Sequence, residues 1–258
     1  MSALILKLLA YLSMTYDHVG FCLNEPVFRG IGRLAMPLFC YFIAQGMRNT
    51  RSLPRYILRL SVLAILAEIP FNLFISGSIL HIAGQNVIWT LLIGLVCIAL
   101  GRELREKKPR LYPWLYPVII LIGCMIANFF VTDYNYYGVL LVVIFDLFPM
   151  QTASERVWGT LAVVGLNGWR FVSYGLYLLM KQNGVDPLAF TPLGRFFLTS
   201  VGDWELIKLL SLLALPLIWL YNGKKGSLGD KRMDKWLGHL MNLYYPLHLL
   251  VLALIYSM

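Results

Sequence analysis

The sequence predicts an all-α fold, a polytopic bundle of about nine or ten transmembrane helices forming one domain over residues 1–258. Three observations carry that expectation. The chain is 59% hydrophobic and only 14% charged, with a mean hydropathy of +0.69, well beyond an ordinary soluble domain. Apolar runs recur from Met1 to Met258 with short polar breaks, and a hydrocarbon core about 30 Å thick needs about 20 largely apolar residues per crossing. Lysine and arginine gather in a few of those breaks. No stretch between the runs is long enough for a separate soluble domain, which leaves membrane enzymes, carriers, channels and scaffolds. In a soluble chain the net charge of +9 would suggest nucleic acid. Here the cations lie beside apolar runs, where they set topology and meet anionic lipid headgroups, so membrane lipid is the expected partner and nucleic acid is not.

The first run, Leu4 to Phe21, ends in Asp17 and His18 and lacks a following small-residue cleavage site, so it reads as a helix and not as a signal peptide. Further helices are expected at Leu34–Met47, Arg55–Phe74, Val87–Leu100, Leu115–Phe130 and Tyr136–Phe148. Pro37, Pro70 and Pro117 should start or kink three of them, and the last is short enough to be tilted or partly embedded. Gly165, Asn167, Gly168 and Arg170 interrupt the run Val157–Met180, which is one broken helix or two short ones. A polar segment with Pro187 and Pro192 then leads to helices at Leu206–Tyr221 and Leu237–Ile255. The four cysteines stand singly in or beside apolar runs and read as packing residues, with no metal site expected.

Three breaks are densely basic: Arg48 to Arg59, Arg102 to Arg110 and Lys224 to Lys235. The positive-inside rule places them in the cytoplasm, and the nearly uncharged loops between them outside. With the N-terminus inside, all three stay inside only if Val157–Met180 crosses once. That gives nine helices; a hairpin there gives ten.

An ionisable group within a span is costly unless paired or hydrated, so each is a functional candidate. Asp17 and His18 come first, because an imidazole can take a proton from an amine or hydroxyl nucleophile as an acyl group arrives. Adjacent helical residues point about 100° apart, so Asp17 orients His18 only through a local unwinding; its alternative partners are Arg29 and Arg33. Arg51, Arg55 and Arg59, at i, i+4 and i+8, would share one helix face over about 12 Å. Guanidinium forks suit the phosphates of a nucleotide-like donor, and the topology signal alone is the other explanation. Glu68 and Asn72 around Pro70, with Gln85 and Asn86, either bind a polar substrate or hold a broken helix together. In the last helix Tyr244 and His248 share a face and can meet a common ligand, unless His248 is a structural histidine of a proline-kinked helix.

Several ordered motifs resemble the TraX family, named for the pilin acetylase of conjugative plasmids. They are Asp17-His18, Gly32-Arg33-Leu34-Ala35-Met36-Pro37-Leu38-Phe39 continuing to Gln45-Gly46, Tyr56-x-x-Arg59-Leu60, Glu68-x-Pro70-Phe71, Asp133-Tyr134-x-x-Tyr137-Gly138 and Tyr245-Pro246-Leu247-His248. The resemblance implies a multi-pass acetyltransferase of the bacterial inner membrane, using cytoplasmic acetyl-CoA as donor and a protein, glycan or lipid as acceptor. In those terms His18, with Asp17, is the catalytic base, and Arg51, Arg55 and Arg59 hold the coenzyme. Arg33, Glu68, Asn86, Asp133, Tyr244 and His248 contact substrate. Asn135 stands where the family pattern favours glycine, so the acceptor is not fixed by the resemblance. The expected plan sets His18 roughly 20 to 25 Å from the arginines, bridged by the pantetheine arm. The rival class is a secondary transporter, in which Asp17, Glu68, Asp146 and His248 relay protons or ions, and the halves of the chain show no internal repeat in its favour. A non-catalytic scaffold for pilus or envelope assembly is a third possibility.

Overall fold

A computed structural model of the chain describes residues 1–81, 84–184, 205–227 and 229–256, and the described residues are helical with no strand. The helices are α1 (Ala3–Leu23), α2 (Pro26–Gly32), α3 (Ala35–Asn49), α4 (Leu53–Ser76), α5 (Val87–Lys107), α6 (Tyr112–Phe129), α7 (Asn135–Leu147) and α8 (Ala153–Gln182). After them come α9 (Glu205–Lys208), a 3-10 turn (Leu209–Leu213), α10 (Ala214–Trp219) and α11 (Lys231–Tyr256). Among the described residues, five segments are long and apolar enough to cross a membrane: Pro26–Asn49, α4, α5, α6 and the 232–256 part of α11.

The helix faces indicate the solvent. Leu58, Val62, Ile65, Leu66 and Ile69 form a stripe along α4, every one at least 46% exposed. Burying such a side chain is worth about 1.5–3 kcal/mol, so this stripe in water would forgo several kcal/mol. Hydrocarbon removes that cost, and the chain is a multi-pass membrane protein.

Most of the described cations collect at one end of the bundle, Arg29 and Arg33 being at the other. Arg48 and Arg102 both reach Asp146 Oδ1, at 3.9 and 2.7 Å. The N-terminal ammonium donates to the Leu220 carbonyl, and the backbone N–H groups of Ala3 and Leu4 donate to the Lys224 and Lys225 carbonyls. Helices α1, α4, α6, α8 and α11 run away from this end; α3, α5, α7 and the 205–219 segment return to it. The 157–180 run is therefore part of a single continuous helix, α8, opened by a capping box between Thr152 and Glu155. Asn167 does not break it, because its amide donates to the Val163 carbonyl and its oxygen accepts from the Tyr137 and Ser211 hydroxyls. The Arg170 side chain, and Pro187 and Pro192, lie outside the described residues.

Several boundaries differ from the sequence expectation for identifiable reasons. The short α2 escaped it because Arg29, Gly30, Gly32 and Arg33 break the apolar period; Pro26 starts that helix. Helix α4 begins at Leu53, with extended Ser52 before it and Pro54 in its first turn, so Arg51 is not on the helix and the three-arginine stripe shrinks to Arg55 and Arg59. Helix α5 continues to Lys107, taking Arg102 and Arg105 onto the helix, where cations suit the C-terminal dipole. The expected Leu206–Tyr221 helix is broken: Pro216 has no N–H for the Leu212 carbonyl, and the preceding turn tightens to 3-10. Helix α11 begins at Lys231, six residues earlier than expected. The 13-residue α7, short enough in sequence to be tilted or partly embedded, lies inside the bundle. Tyr136, Tyr137, Val139, Leu141, Val142, Val143 and Phe145 are all buried, and α3, α5, α6 and α8 enclose it as the central helix.

Candidate functional site

Two imidazoles meet between α1 and α11. His18 Nδ1 lies 2.6 Å from His248 Nε2, with the rings 14° from parallel and centroids 4.8 Å apart. That short N···N distance with so large a centroid separation is the geometry of rings meeting edge to edge in nearly one plane, not of a face-to-face stack. His248 Nδ1 donates to the Tyr244 carbonyl oxygen at 2.9 Å. Phe74 and Tyr245 flank the His18 ring, at 5.3 and 6.3 Å between centroids.

A short polar ladder aligns the two helices. Tyr11 Oη donates to the Met241 carbonyl at 2.8 Å, and the Thr15 hydroxyl donates to the Tyr11 carbonyl at 2.9 Å. Thr15 has then spent its proton, so in its 2.7 Å contact with Tyr244 the tyrosine hydroxyl is the donor. Tyr244 and His248 share one helix face, as expected, but each spends a polar group on α1, and both fix the histidine pair in register.

Asp17 faces elsewhere. Its carboxylate accepts from Arg33 Nη2 and lies 3.4 Å from Arg29 Nη1, so of the alternatives the sequence left open it takes the arginine pairing, and His18 takes His248. Gly32 makes this possible: a Cβ there would collide with the Asp17 side chain, and the close approach of α2 to α1 delivers both arginines. Arg33 Nη1 also donates to Tyr134 Oη at 3.2 Å. Tyr134 belongs to a loop in which Val131, Tyr134 and Asn135 all hold positive φ, of 51°, 65° and 44°. Left-handed backbone is costly for a β-branched residue such as Val131. The loop is held by Gln85, whose N–H donates to the Val131 carbonyl and whose carbonyl accepts from Asp133 N–H, and by Thr90, which donates to the Asp133 carbonyl. Asp133 thus lies at the end of the bundle where Asp17, Arg29 and Arg33 gather.

Glu68 and Asn86 meet each other. Asn86 Nδ2 donates to Glu68 Oε2 and to the Ala64 carbonyl, Trp89 Nε1 donates to Glu68 Oε2 at 3.0 Å, and Asn86 Oδ1 caps α5 at Ile88 N–H. This cluster ties α4 to α5. Asn72, buried nearby on α4, donates to the Ile79 carbonyl.

Between the cationic end and the histidine pair lies a cavity of about 860 Å³. Lys7, Arg59 and Lys225 stand on its walls at the cationic end with Gln45, Asn49 and Thr50, and Tyr11, Met14 and Tyr245 line its inner part. Arg59 is fifteen residues before Phe74, about 22 Å at 1.5 Å per residue, and Phe74 touches His18. Arg51 and Arg55 are exposed and do not line the cavity. Lys7, Lys225 and Asn49 were not singled out as site residues in the sequence, and Gln45 stood there only as part of a family motif. Lys7 carried one signal, a lone cation one turn into an apolar helix.

Fold and site together define a multi-pass helical membrane protein with an imidazole pair beyond the inner end of a cation-walled cavity. A family model described as TraX protein matches residues 2–256, and the chain belongs to the TraX family. It is 24% identical over 266 residues to a probable fimbrial assembly protein, FimC of serogroup H1, from Dichelobacter nodosus, covering 98% of this chain and 94% of that one. It is also 37% identical over 78 residues to the uncharacterized protein RP591 of Rickettsia prowazekii (strain Madrid E), covering 30% of this chain and 31% of the relative. No solved structure matches it.

Proposed function

We propose that this protein is a membrane-embedded acetyltransferase that passes an acetyl group from cytoplasmic acetyl-CoA to an amine or hydroxyl at or across the bacterial inner membrane. The cavity is the observation that carries the reading: cations for donor phosphates at one end, and an imidazole pair beyond Tyr245 at the other. Lys7, Arg59 and Lys225 hold the phosphates, and the pantetheine arm brings the thioester toward His18. As the acceptor nitrogen or oxygen bonds to the acetyl carbon, His18 takes its proton; when the C–S bond breaks, that proton passes to the leaving thiolate. A pilin N-terminus, an envelope glycan or a lipid fits this chemistry as acceptor. The fimbrial name of the Dichelobacter relative favours pilin. Purified protein incubated with radiolabelled acetyl-CoA and membrane extract tests the reading: label must pass to an acceptor, and its failure to do so with correctly inserted protein overturns it.

The donor site carries its own expectation. Arg59→Ala should weaken coenzyme A binding by about 1.5–3 kcal/mol, the worth of a charge-assisted hydrogen bond, whereas Arg51→Ala and Arg55→Ala should leave it within experimental error. Calorimetry on the three variants decides. Equal losses at all three would mean that the phosphates bind outside the cavity.

The gathering of cations at one end supports an orientation with that end, and the N-terminus, in the cytoplasm. Cysteines placed at positions 107 and 225 should resist an impermeant thiol reagent added to intact cells and react in inverted vesicles. Labelling from outside would reverse the orientation and put the donor cavity on the wrong side.

A further inference from the structure

We infer that His248 is a positioning residue that fixes the tautomer of His18, making Nε2 of His18 the atom that accepts the proton; this rests on the acetyltransferase reading above. The inference follows from counting hydrogens. A carbonyl oxygen only accepts, so the 2.9 Å contact between His248 Nδ1 and the Tyr244 carbonyl requires the hydrogen on His248 Nδ1. In the neutral ring His248 Nε2 is then a lone pair. That lone pair lies 2.6 Å from His18 Nδ1, which must supply the hydrogen of the bond. Neutral His18 therefore carries its hydrogen on Nδ1 and its lone pair on Nε2.

The arrangement matches in logic the carboxylate of a serine-protease triad, which holds an imidazole in one tautomer and stabilises the imidazolium that forms. Here a neutral imidazole does so, and the backbone of its own helix sets it. The surrounding contacts serve the same end. Tyr244 Oη is committed to Thr15, which locks α11 against α1, so the Tyr244 carbonyl is held in the same register. Asp17, the adjacent carboxylate that could have oriented His18, is occupied by Arg29 and Arg33.

Two variants of the full-length protein separate this role from others. The amide of His248→Gln can place an acceptor oxygen where Nε2 was, whereas His248→Ala removes the acceptor. The expected result is that the Gln variant keeps turnover within about tenfold of wild type while the Ala variant loses about 10²-fold or more, with KM for acetyl-CoA unchanged in both. A Gln variant as inactive as the Ala variant would overturn the inference, because titration of the His248 ring would then be required. Near-normal turnover in both would overturn it equally. A readout independent of catalysis comes from nitrogen NMR of protein carrying 15N-histidine, with His18→Gln assigning the signals. His18 should show a protonated Nδ1 and an unprotonated Nε2 in the wild type, and lose that preference in His248→Ala. The opposite tautomer in the wild type refutes the inference even if acetyl transfer is observed, and absence of transfer with the expected tautomer refutes the acetyltransferase reading alone.

Discussion

His18→Ala is expected to lower acetyl transfer by about 10²–10⁴, the usual contribution of a general base, while coenzyme A affinity stays close to wild type. The two effects separate because the cations proposed to bind the phosphates are remote. Lys7 is eleven residues before His18 on α1, about 16 Å at 1.5 Å per residue, and Arg59 is farther still. His18→Gln should be nearly as slow as the alanine variant, since an amide can hydrogen-bond to His248 but cannot take up the proton. A histidine kept for packing against Phe74 and Tyr245 would instead tolerate glutamine. Turnover at saturating acetyl-CoA, with each variant first shown to be folded, is the measurement. Near-normal turnover in His18→Gln would return His18 to a structural role.

The all-helical, multi-pass character was legible in the sequence because it follows from composition and run length. The pairing of His18 with His248 was not. Counted from the expected helix start at Leu237, His248 falls near the bilayer middle, whereas His18 falls near the outer end of its helix. The true start at Lys231 puts His248 seventeen residues into α11 and His18 fifteen residues into α1, so two parallel helices carry them to similar depth. The density of charge in Lys231, Arg232 and Lys235 reads as a loop, whereas the helix backbone runs through all three. Arg51 left the stripe for a different reason: the i, i+4, i+8 spacing assigns it to the face of a helix expected only from Arg55, and that helix starts at Leu53, with Pro54 in its first turn and Ser52 extended before it.

The enclosure of α7 was hidden too. A 13-residue apolar run fits both a tilted crossing and a buried core helix, and only its neighbours distinguish them. Gly94 permits the second arrangement, since a side chain there would press on Val142 of α7. The consequence reaches the site. Tyr134, in the loop that leads into α7, accepts from Arg33, so the rigid central helix and the arginine–aspartate cluster are mechanically joined.

Asp17→Ala should act on stability before it acts on chemistry. The carboxylate is buried between Arg29 and Arg33, and the Arg33 side chain is only 9% exposed. Removing one member of a buried pair typically costs about 3–5 kcal/mol, because the remaining charge loses its partner without regaining water. The variant should therefore show a clearly lowered unfolding midpoint in detergent, and the fraction that remains folded should keep most of its turnover, since His18 is oriented by His248. The double variant Asp17→Leu with Arg33→Met removes both charges and should recover much of the lost stability, as replacing a buried ion pair with apolar side chains of similar volume is often neutral or better. Arg29 keeps a share of exposed surface and can turn toward the interface in that background. If Asp17→Ala instead unfolds like the wild type while its turnover falls as far as that of His18→Ala, the carboxylate acts on the imidazole directly, and the neighbour in sequence, not the histidine across the helix interface, is the residue that orients the base.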